Sequence, residues 1–229
     1  MGMMQFMMAN LAHLIPIILC AVVAIAIVLE RARALYLVYP LRGTAAFFER
    51  VRNLMLAERV SQAVALCDRY KNKPVAYVVK EGLIRAHQPK EIIEHGLEVA
   101  VGEATDRVRA RTQYLSMIAN VATLLGLIGT ILGLIESFKA VGTANPQERS
   151  ALLAEGISTA MNHTLWGLAV AVPCMVCFSF LMNRTNRLKA QLDRAAIRTL
   201  DIIKQRYVAS AEMQSDAPID RHSGQRRAV

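Results

Sequence analysis

Three apolar segments, each long enough to cross a lipid bilayer as a helix, constrain the fold of this chain more than any other feature. They span residues 11–29, 114–135 and 156–182, and none contains Asp, Glu, Lys or Arg. A transmembrane helix needs roughly 20 predominantly apolar residues. With 54% hydrophobic residues, the chain is also more apolar than an ordinary soluble domain. The sequence therefore predicts an all-α membrane protein with three transmembrane helices.

The basic residues are distributed unevenly around these segments. Of the 27 Lys and Arg residues, 15 lie between residues 30 and 113 and 10 lie after residue 182, whereas only Lys139 and Arg149 lie in the loop between the second and third segments. Cytoplasmic loops of membrane proteins are enriched in Lys and Arg. We therefore expect the 30–113 region and the C-terminal tail in the cytoplasm, and the N-terminus and the second loop outside.

Two other interpretations of these features are less consistent with the sequence. The net charge of +9 does not indicate nucleic-acid binding, because ten acidic residues are interspersed with the basic ones between residues 30 and 113. The first apolar segment is not typical of a cleaved signal peptide, since it lacks a basic n-region and Arg31 and Arg33 follow it directly. An anchor with its N-terminus outside fits better.

Outside the bilayer the chain is also expected to be helical. Apolar residues recur at helical spacing over 43–71, which predicts one amphipathic helix. A helix beginning near residue 90 meets no proline before Pro146 and is expected to continue unbroken into the second span. The third span is expected to continue as a cytoplasmic helix, and the polar residues 209–229 to be disordered.

These boundaries divide the chain into four parts. They are the outer N-terminus with the first transmembrane helix (1–30), a cytoplasmic helical region (31–113), the second and third transmembrane helices with their short loop (114–182), and a cytoplasmic helix with a disordered tail (183–229).

A row of hydroxyl groups follows one face of the second span. Residues seven apart return to nearly the same face of a helix. The row consists of Ser116, Thr123, Thr130 and Ser137. Because polar groups are costly in hydrocarbon, this hydroxyl stripe is expected to face protein or water and could line an ion path. The alternative is that each Thr bonds back to its own helix backbone and serves packing alone.

Depth in the membrane pairs one of these hydroxyls with the third span. Thr130 lies seven residues before Ser137, near the outer end of the second span, and Thr164 lies eight residues after Gly156, near the outer start of the third. At ~1.5 Å per residue both lie ~10–12 Å below the outer ends. Small residues around them predict close helix packing. These positions are Gly129, Gly133, Ala160, Gly167 and Ala171.

The two outer spans lack a carboxylate of their own. Glu136 and Glu155 fall at their outer boundaries, and His163 is the ionisable residue within the third span. A proton path therefore either uses His163 or depends on an acid supplied by a partner. The sequence contains no metal-ligand spacing, nucleotide-binding loop or nucleophile–base arrangement, so we expect no cofactor, no metal and no enzymatic activity.

Two blocks in these spans resemble a known family. LLGLIGTILGLIESF, followed by GISTAMNHTLWGLAVAVP, is similar to the proton-channel family that includes ExbB, TolQ and, more distantly, MotA. The order of the blocks and the layout of three spans also agree. The resemblance implies a ring of subunits, five in the family, in the bacterial inner membrane, with a periplasmic N-terminus and a cytoplasmic C-terminus.

The resemblance further implies a partner and a function. The expected partner is a single-span protein of the ExbD or TolR type that carries a membrane aspartate. The complex of this chain with that partner is expected to use the proton motive force to drive transport or envelope-associated work. Thr130 and Thr164 match the two pore threonines of the family. One position departs from the pattern, because many relatives have Glu where this chain has Thr159. An acidic relay residue is thus absent, and Thr159 and His163 are candidates for the path.

Two hypotheses from different classes follow. In the first, the chain is an ion-channel subunit whose path uses Thr130, Thr164, Thr123 and Ser116. In the second, it is a structural membrane scaffold that holds a partner complex together without lining an ion path. The first predicts that loss of the Thr130 or Thr164 hydroxyl abolishes ion-driven work, and the second predicts that such changes are silent.

Overall fold

The structure is a computed structural model that describes residues 11–41 and 43–215. Its helices are α1 (Leu11–Arg33), α2 (Thr44–Leu56), α3 (Val60–Asp68), α4 (Pro74–Ile84), α5 (Lys90–Arg109), α6 (Thr112–Thr143) and α7 (Arg149–Ser215). A short π-helical segment, Ala34–Val38, follows α1 directly. No β-strand occurs in the described ranges, and the predicted all-α fold class is confirmed.

The chain forms two compact units. The membrane unit contains the residues up to Tyr39 together with Arg107–Leu188, and the charged unit contains Pro40–Asp106 together with the residues from Lys189 onward. Both α5 and α7 contribute residues to each unit.

Three helical segments are long and apolar enough to cross a membrane, at Leu14–Val38, within Lys90–Thr143 and within Arg149–Ala209. Only 22–28% of the residues in their apolar windows are buried within the protein, so their outward faces are available to lipid. The core of the membrane unit is built from small and aliphatic side chains. It includes Ala24, Leu35, Val108, Leu115, Ala119, Ala122, Ala171, Leu181 and Leu188.

In the charged unit, short helices pack against the unit's parts of α5 and α7. The core is aliphatic and includes Val51, Met55, Val78, Val79, Leu83, Ile93, Leu97, Leu192 and Ile203. Gly82 marks a close approach of three helices, since a Cβ placed on it would lie 2.8 Å from both Leu97 Cδ2 and Thr199 Cγ2. α4 therefore contacts α5 and α7 through a position that has no side chain.

The expectation of one helix over 43–71 is wrong. α2 ends at Leu56 and α3 begins at Val60, with Glu58 between them in the left-handed region (φ 58°). The turn places Val51 and Met55 of α2 in the same core as Ala63 and Cys67 of α3. A single straight helix could not turn both segments onto one core.

The expectation of an unbroken helix from residue 90 into the second span is also wrong. α5 ends at Arg109 and α6 begins at Thr112, with Arg111 in the left-handed region (φ 61°). The break exposes backbone carbonyls at the end of α5. Arg31 donates from Nη2 to the carbonyl oxygens of Val108 and, at 3.5 Å, of Arg107, while Arg111 Nη1 bonds Glu30 Oε1 at 2.6 Å.

The third span continues as a helix well beyond the apolar segment, as predicted, since α7 runs from Arg149 to Ser215. The expected disorder of 209–229 is wrong for residues 209–215, which are helical. The rest of that prediction concerns residues outside the described ranges. The turn between α6 and α7 occupies residues 144–148, within the predicted outer loop.

Candidate ion path between α6 and α7

The antiparallel helices α6 and α7 touch backbone to backbone in the membrane unit. A Cβ placed on Gly167 would lie 2.7 Å from the carbonyl oxygen of Ala122 and 2.9 Å from Gly126 Cα. Two turns further out, a Cβ on Gly133 would lie 3.0 Å from Ala160 Cβ. Glycine is required where backbones approach this closely, and such contacts bring the flanking side chains of the two helices together.

The paired threonines lie within this seam. Thr130 Oγ1 and Thr164 Oγ1 are 3.2 Å apart, and both side chains are partly buried. Thr130 Oγ1 is 2.6 Å from the carbonyl oxygen of Leu127, and Thr164 Oγ1 is 3.3 Å from that of Gly126. Each hydroxyl carries one proton and two lone pairs. The pair can therefore form a hydrogen-bonded chain in which Thr164 donates to Thr130 and Thr130 donates to its own helix.

The other hydroxyls of the stripe differ in their surroundings. Ser137 is 6% exposed, donates to the carbonyl oxygen of Gly133 at 2.7 Å and faces Gly156, where a Cβ would lie 1.7 Å from its Oγ. Thr123 is exposed and donates to the carbonyl oxygen of Ala119 at 3.0 Å, and Ser116 is half-buried. A seven-residue repeat drifts by ~20° per heptad on a straight helix. The stripe thus turns from the α7 seam towards the surface.

His163 lies in the seam beside Thr164. This residue is 3% exposed, and a Cβ placed on Gly129 would lie 2.6 Å from the Cβ of His163. Of the remaining small positions, Ala160 and Ala171 are buried at 1% and 5% exposure. Ala171 belongs to the core of the membrane unit.

A polar cavity of about 250 Å³ opens at the outer end of the seam. Its lining includes the two carboxylates Glu136 and Glu155 together with Thr159 and His163. The sequence placed both glutamates at the outer boundary, but the cavity that they share with His163 was not predicted. The near-equal distance of the two glutamates from the α6–α7 turn could have indicated it, since antiparallel helices place such positions at the same depth.

Three buried polar residues at the other end of the membrane unit were missed as site candidates. Arg31 is 3% exposed and caps the end of α5, while Thr112 and Thr185 are fully buried. No hydrogen bond to either of these two hydroxyls occurs among the described residues. Burying an Arg is costly unless its charge is paired or hydrogen-bonded. Arg31 lies directly after the first span, and this position was the feature of the sequence that could have identified it.

No group of three or more metal-ligating residues that could hold an ion occurs in the described part of the chain.

Comparison with known proteins adds the family. Residues 70–194, more than half of the chain, match the family described as the MotA/TolQ/ExbB proton channel family. The chain belongs to this family. The matched residues include the whole α6–α7 seam, so this ExbB/TolQ-type chain is a multi-pass membrane protein of a family of channel and transport subunits.

Individual relatives agree. The chain is 32% identical over 134 residues to biopolymer transport protein exbB1 of Vibrio cholerae, covering 58% of this chain and 59% of that protein. It is 33% identical over 135 residues to a putative ExbB homolog of Methanothermobacter thermautotrophicus, covering 58% and 45%. It is 26% identical over 98 residues to Tol-Pal system protein TolQ of Pseudomonas aeruginosa, covering 43% and 42%. The chain thus spans about half the length of the curated relatives it matches.

Proposed function

We propose that this chain is the proton-channel subunit of an ExbB/TolQ-like complex in the bacterial inner membrane, which uses the proton motive force to drive transport or envelope-associated mechanical work. Family membership supports the channel class. The relatives include both a biopolymer transport protein and a Tol-Pal protein. The site would comprise Thr130 and Thr164, continued by Thr123 and Ser116, with Thr159 and His163 at its outer end.

The hydroxyl pair in the α6–α7 seam is the single observation that carries the proposal. Two hydroxyls 3.2 Å apart can each donate and accept a hydrogen bond, and can therefore pass a proton or replace part of an ion's hydration shell. Pure packing would be served equally by Val or Ala at these positions.

A partner would supply the titrating group. Between Thr112 and Ile135 on α6, and between Gly156 and Met182 on α7, the sequence contains no carboxylate. Proton transfer through a membrane normally involves a carboxylate or histidine that gains and loses the proton. A single-span ExbD/TolR-like protein carrying a membrane Asp would complete the path beside the threonine pair.

A ring of identical subunits, five by analogy with the family, would explain the surface of the membrane unit. Thr123 is exposed in the single chain, on a helix whose other exposed residues are mostly aliphatic. A hydroxyl facing lipid is unfavourable, whereas one facing a neighbouring subunit or a water-filled centre is not.

The distribution of charge supports the orientation. Between the second and third apolar segments lie only two basic residues, Lys139 near the end of α6 and Arg149 at the start of α7, whereas the regions 30–113 and 183–229 carry 25 of the 27. We propose a periplasmic N-terminus and α6–α7 turn, with the charged unit and the C-terminus in the cytoplasm.

Threonine-to-valine exchange tests the proposal because it removes the hydroxyl and keeps the shape. In liposomes containing the chain and its co-purified single-span partner, we expect Thr130→Val and Thr164→Val to reduce proton uptake at least tenfold, measured with a trapped pH-sensitive dye. Thr130→Ser keeps a hydroxyl and is the matched control, expected to conduct. The mass of each purified complex reports assembly separately.

The scaffold hypothesis predicts the opposite pattern. Under it both valine variants would drive the same work as the unmodified chain, and a polar residue at Val101 would disrupt assembly instead. Val101 is half-buried beside the core of the charged unit. Leu97 is unsuitable for this comparison because it is 3% exposed within that core, so a polar residue there would unfold the unit.

A further inference from the structure

An apolar groove lies between α1 and α7 in the membrane unit, on the side of α7 away from the ion path. Its volume is about 300 Å³, and small or aliphatic residues line it, among them Ile25, Leu29, Ala169, Pro173 and Cys177. The groove extends over nine residues of α1, from Ala21 to Leu29, whose Cα atoms are ~12 Å apart along the helix at 1.5 Å per residue. Every residue that lines it is apolar, so the groove suits a hydrocarbon chain.

Basic and aromatic side chains continue the α1–α7 groove towards the inner end of the membrane unit. Arg184 Cζ lies 5.2 Å from the centre of the Tyr36 ring, and Arg184 Nε donates to the carbonyl oxygen of Leu35 at 3.4 Å. Arg184 follows Cys177 by seven residues and Tyr36 follows Leu29 by seven. The Arg184–Tyr36 contact therefore lies ~10 Å beyond the apolar groove on both helices.

The charge at this end is uncompensated by the chain itself. Arg33, which follows Leu29 by four residues and lies on the same face of α1, is exposed. Among the described residues, no ion pair involves Arg33 or Arg184. Glu30, the nearest acidic residue of α1, is paired with Arg111 at 2.6 Å.

We propose that an anionic phospholipid of the surrounding bilayer binds between α1 and α7, with one acyl chain in the apolar groove and its phosphate against Arg184 and Arg33. Arg184 is held in place by its backbone bond and the Tyr36 ring, which leaves its terminal nitrogens to bind a phosphate in a forked geometry. Tyr36, 51% exposed, occupies the position at which aromatic side chains meet the headgroup layer. The inference rests on the proposed topology, which places these residues in the cytoplasmic leaflet.

Native mass spectrometry of the full chain tests this directly. The detergent-solubilised protein is titrated with phosphatidylglycerol or with phosphatidylcholine of the same acyl chains, and bound lipid is counted. We expect tighter binding of phosphatidylglycerol. Arg184→Gln should weaken that binding about fivefold, since one basic residue at an anionic surface contributes about that factor. Ala169→Leu should weaken both lipids by filling the groove.

Two matched variants control for charge and bulk. Arg109→Gln removes an exposed Arg of the same unit, and Val172→Leu enlarges an exposed residue of α7. Neither residue lines the groove. Both should bind lipid as the unmodified chain does. Equal binding of the two lipids, or equal loss in Arg184→Gln and Arg109→Gln, would overturn the proposal.

One further outcome would also decide against it. If Ala169→Leu lowers the mass of the assembled complex while Arg184→Gln leaves lipid binding unchanged, another polypeptide occupies the groove. The readout is independent of ion flow: Thr130→Val and Thr164→Val should retain the lipid, so failure of the channel proposal and failure of lipid binding are told apart.

Discussion

At the scale of single residues, the proposed ion path depends on positions that have no side chain. Gly126 and Gly167 allow the backbones of α6 and α7 to touch, and this contact sets the separation of Thr130 from Thr164. Rigid helices transmit a shift at one contact to their neighbours one turn away. The glycines therefore position the hydroxyl pair without contacting an ion.

A methyl group at the glycine that lies closest to a backbone atom of the facing helix should separate α6 from α7. In Gly167→Ala the new Cβ would lie 2.7 Å from a backbone oxygen, which cannot move aside as a side chain could. We expect a loss of about 1–3 kcal/mol in the free energy of unfolding, the usual cost of overpacking. Denaturant titration in detergent micelles, followed by helical circular dichroism, measures it.

The matched substitution is Gly142→Ala, near the end of α6, where nothing lies within 4 Å of the new Cβ. It should stabilise the helix by up to about 1 kcal/mol, because Ala is the better helix former. An equal loss in both variants would show that the α6–α7 contact is not specific.

The thiol of Cys67 should resist alkylation in the folded protein. Burial, and secondarily the charge of Asp68, raises its pKa from 9.0 to about 12. Only the thiolate reacts. In a variant that keeps Cys67 as its single cysteine, we expect maleimide labelling at pH 8 to be at least a hundredfold slower in the folded than in the urea-unfolded chain.

The raised pKa of Cys67 also makes the stability of the folded protein depend on pH. Since the folded pKa lies above the unfolded one, the contribution of Cys67 to stability is complete below pH 9 and is lost as the pH rises towards 12. Labelling at equal rates in the folded and unfolded chain at pH 8 would show that Cys67 is solvent-exposed.

At the scale of helices, the break between α5 and α6 is held by groups that are distant in sequence. Arg31 of α1 binds the last carbonyls of α5, where the helix dipole is negative and the backbone groups lack helical partners. The Arg111–Glu30 pair on the same turn is about half exposed on both sides and contributes little, as surface ion pairs do.

Arg31→Met should therefore destabilise the membrane unit. The substitution keeps an apolar stem but leaves the carbonyl of Val108 buried without its donor, at a cost of about 1–3 kcal/mol. Arg33→Met, on the exposed face of the same helix, is the control and should change stability by less than about 0.5 kcal/mol. Thermal unfolding in detergent distinguishes them, and equal melting temperatures would remove Arg31 from this role.

At the scale of the whole molecule, the charge distribution predicts which parts meet which aqueous phase. In a cysteine-free background, Ser150→Cys in the first turn of α7 should react with a membrane-impermeant maleimide added outside intact spheroplasts. Ser61→Cys, exposed in α3 of the charged unit, should react only after the membrane is permeabilised. Both positions are exposed in the structure, so a difference reports location and not burial.

The reverse labelling pattern would place the charged unit outside and contradict the proposed orientation. Labelling of both positions in intact cells would mean that the second segment does not cross the membrane. The control is the unmodified cysteine-free chain, which should remain unlabelled.

The positions of the spans and the periodicity of the hydroxyls could be predicted from the sequence because each depends only on residues that are close together in the chain. About 20 apolar residues make a span, and a seven-residue repeat makes a helix face, whatever the rest of the chain does. The break at Glu58 left only a weak trace, since just two charged residues, Glu58 and Arg59, separate Ala57 from Val60, the first residue of α3. The break at Arg111 left none.

By itself the sequence determined the three apolar spans, the asymmetry of charge around them and the two blocks typical of the MotA/TolQ/ExbB family. Only the tertiary structure decided that Thr130 bonds Thr164, that Glu136 and Glu155 share a cavity with His163, and that Arg31 caps α5. The reason is physical. Hydropathy and charge add along the chain, whereas the register of two helices depends on which small residues meet, and those residues lie far apart in sequence.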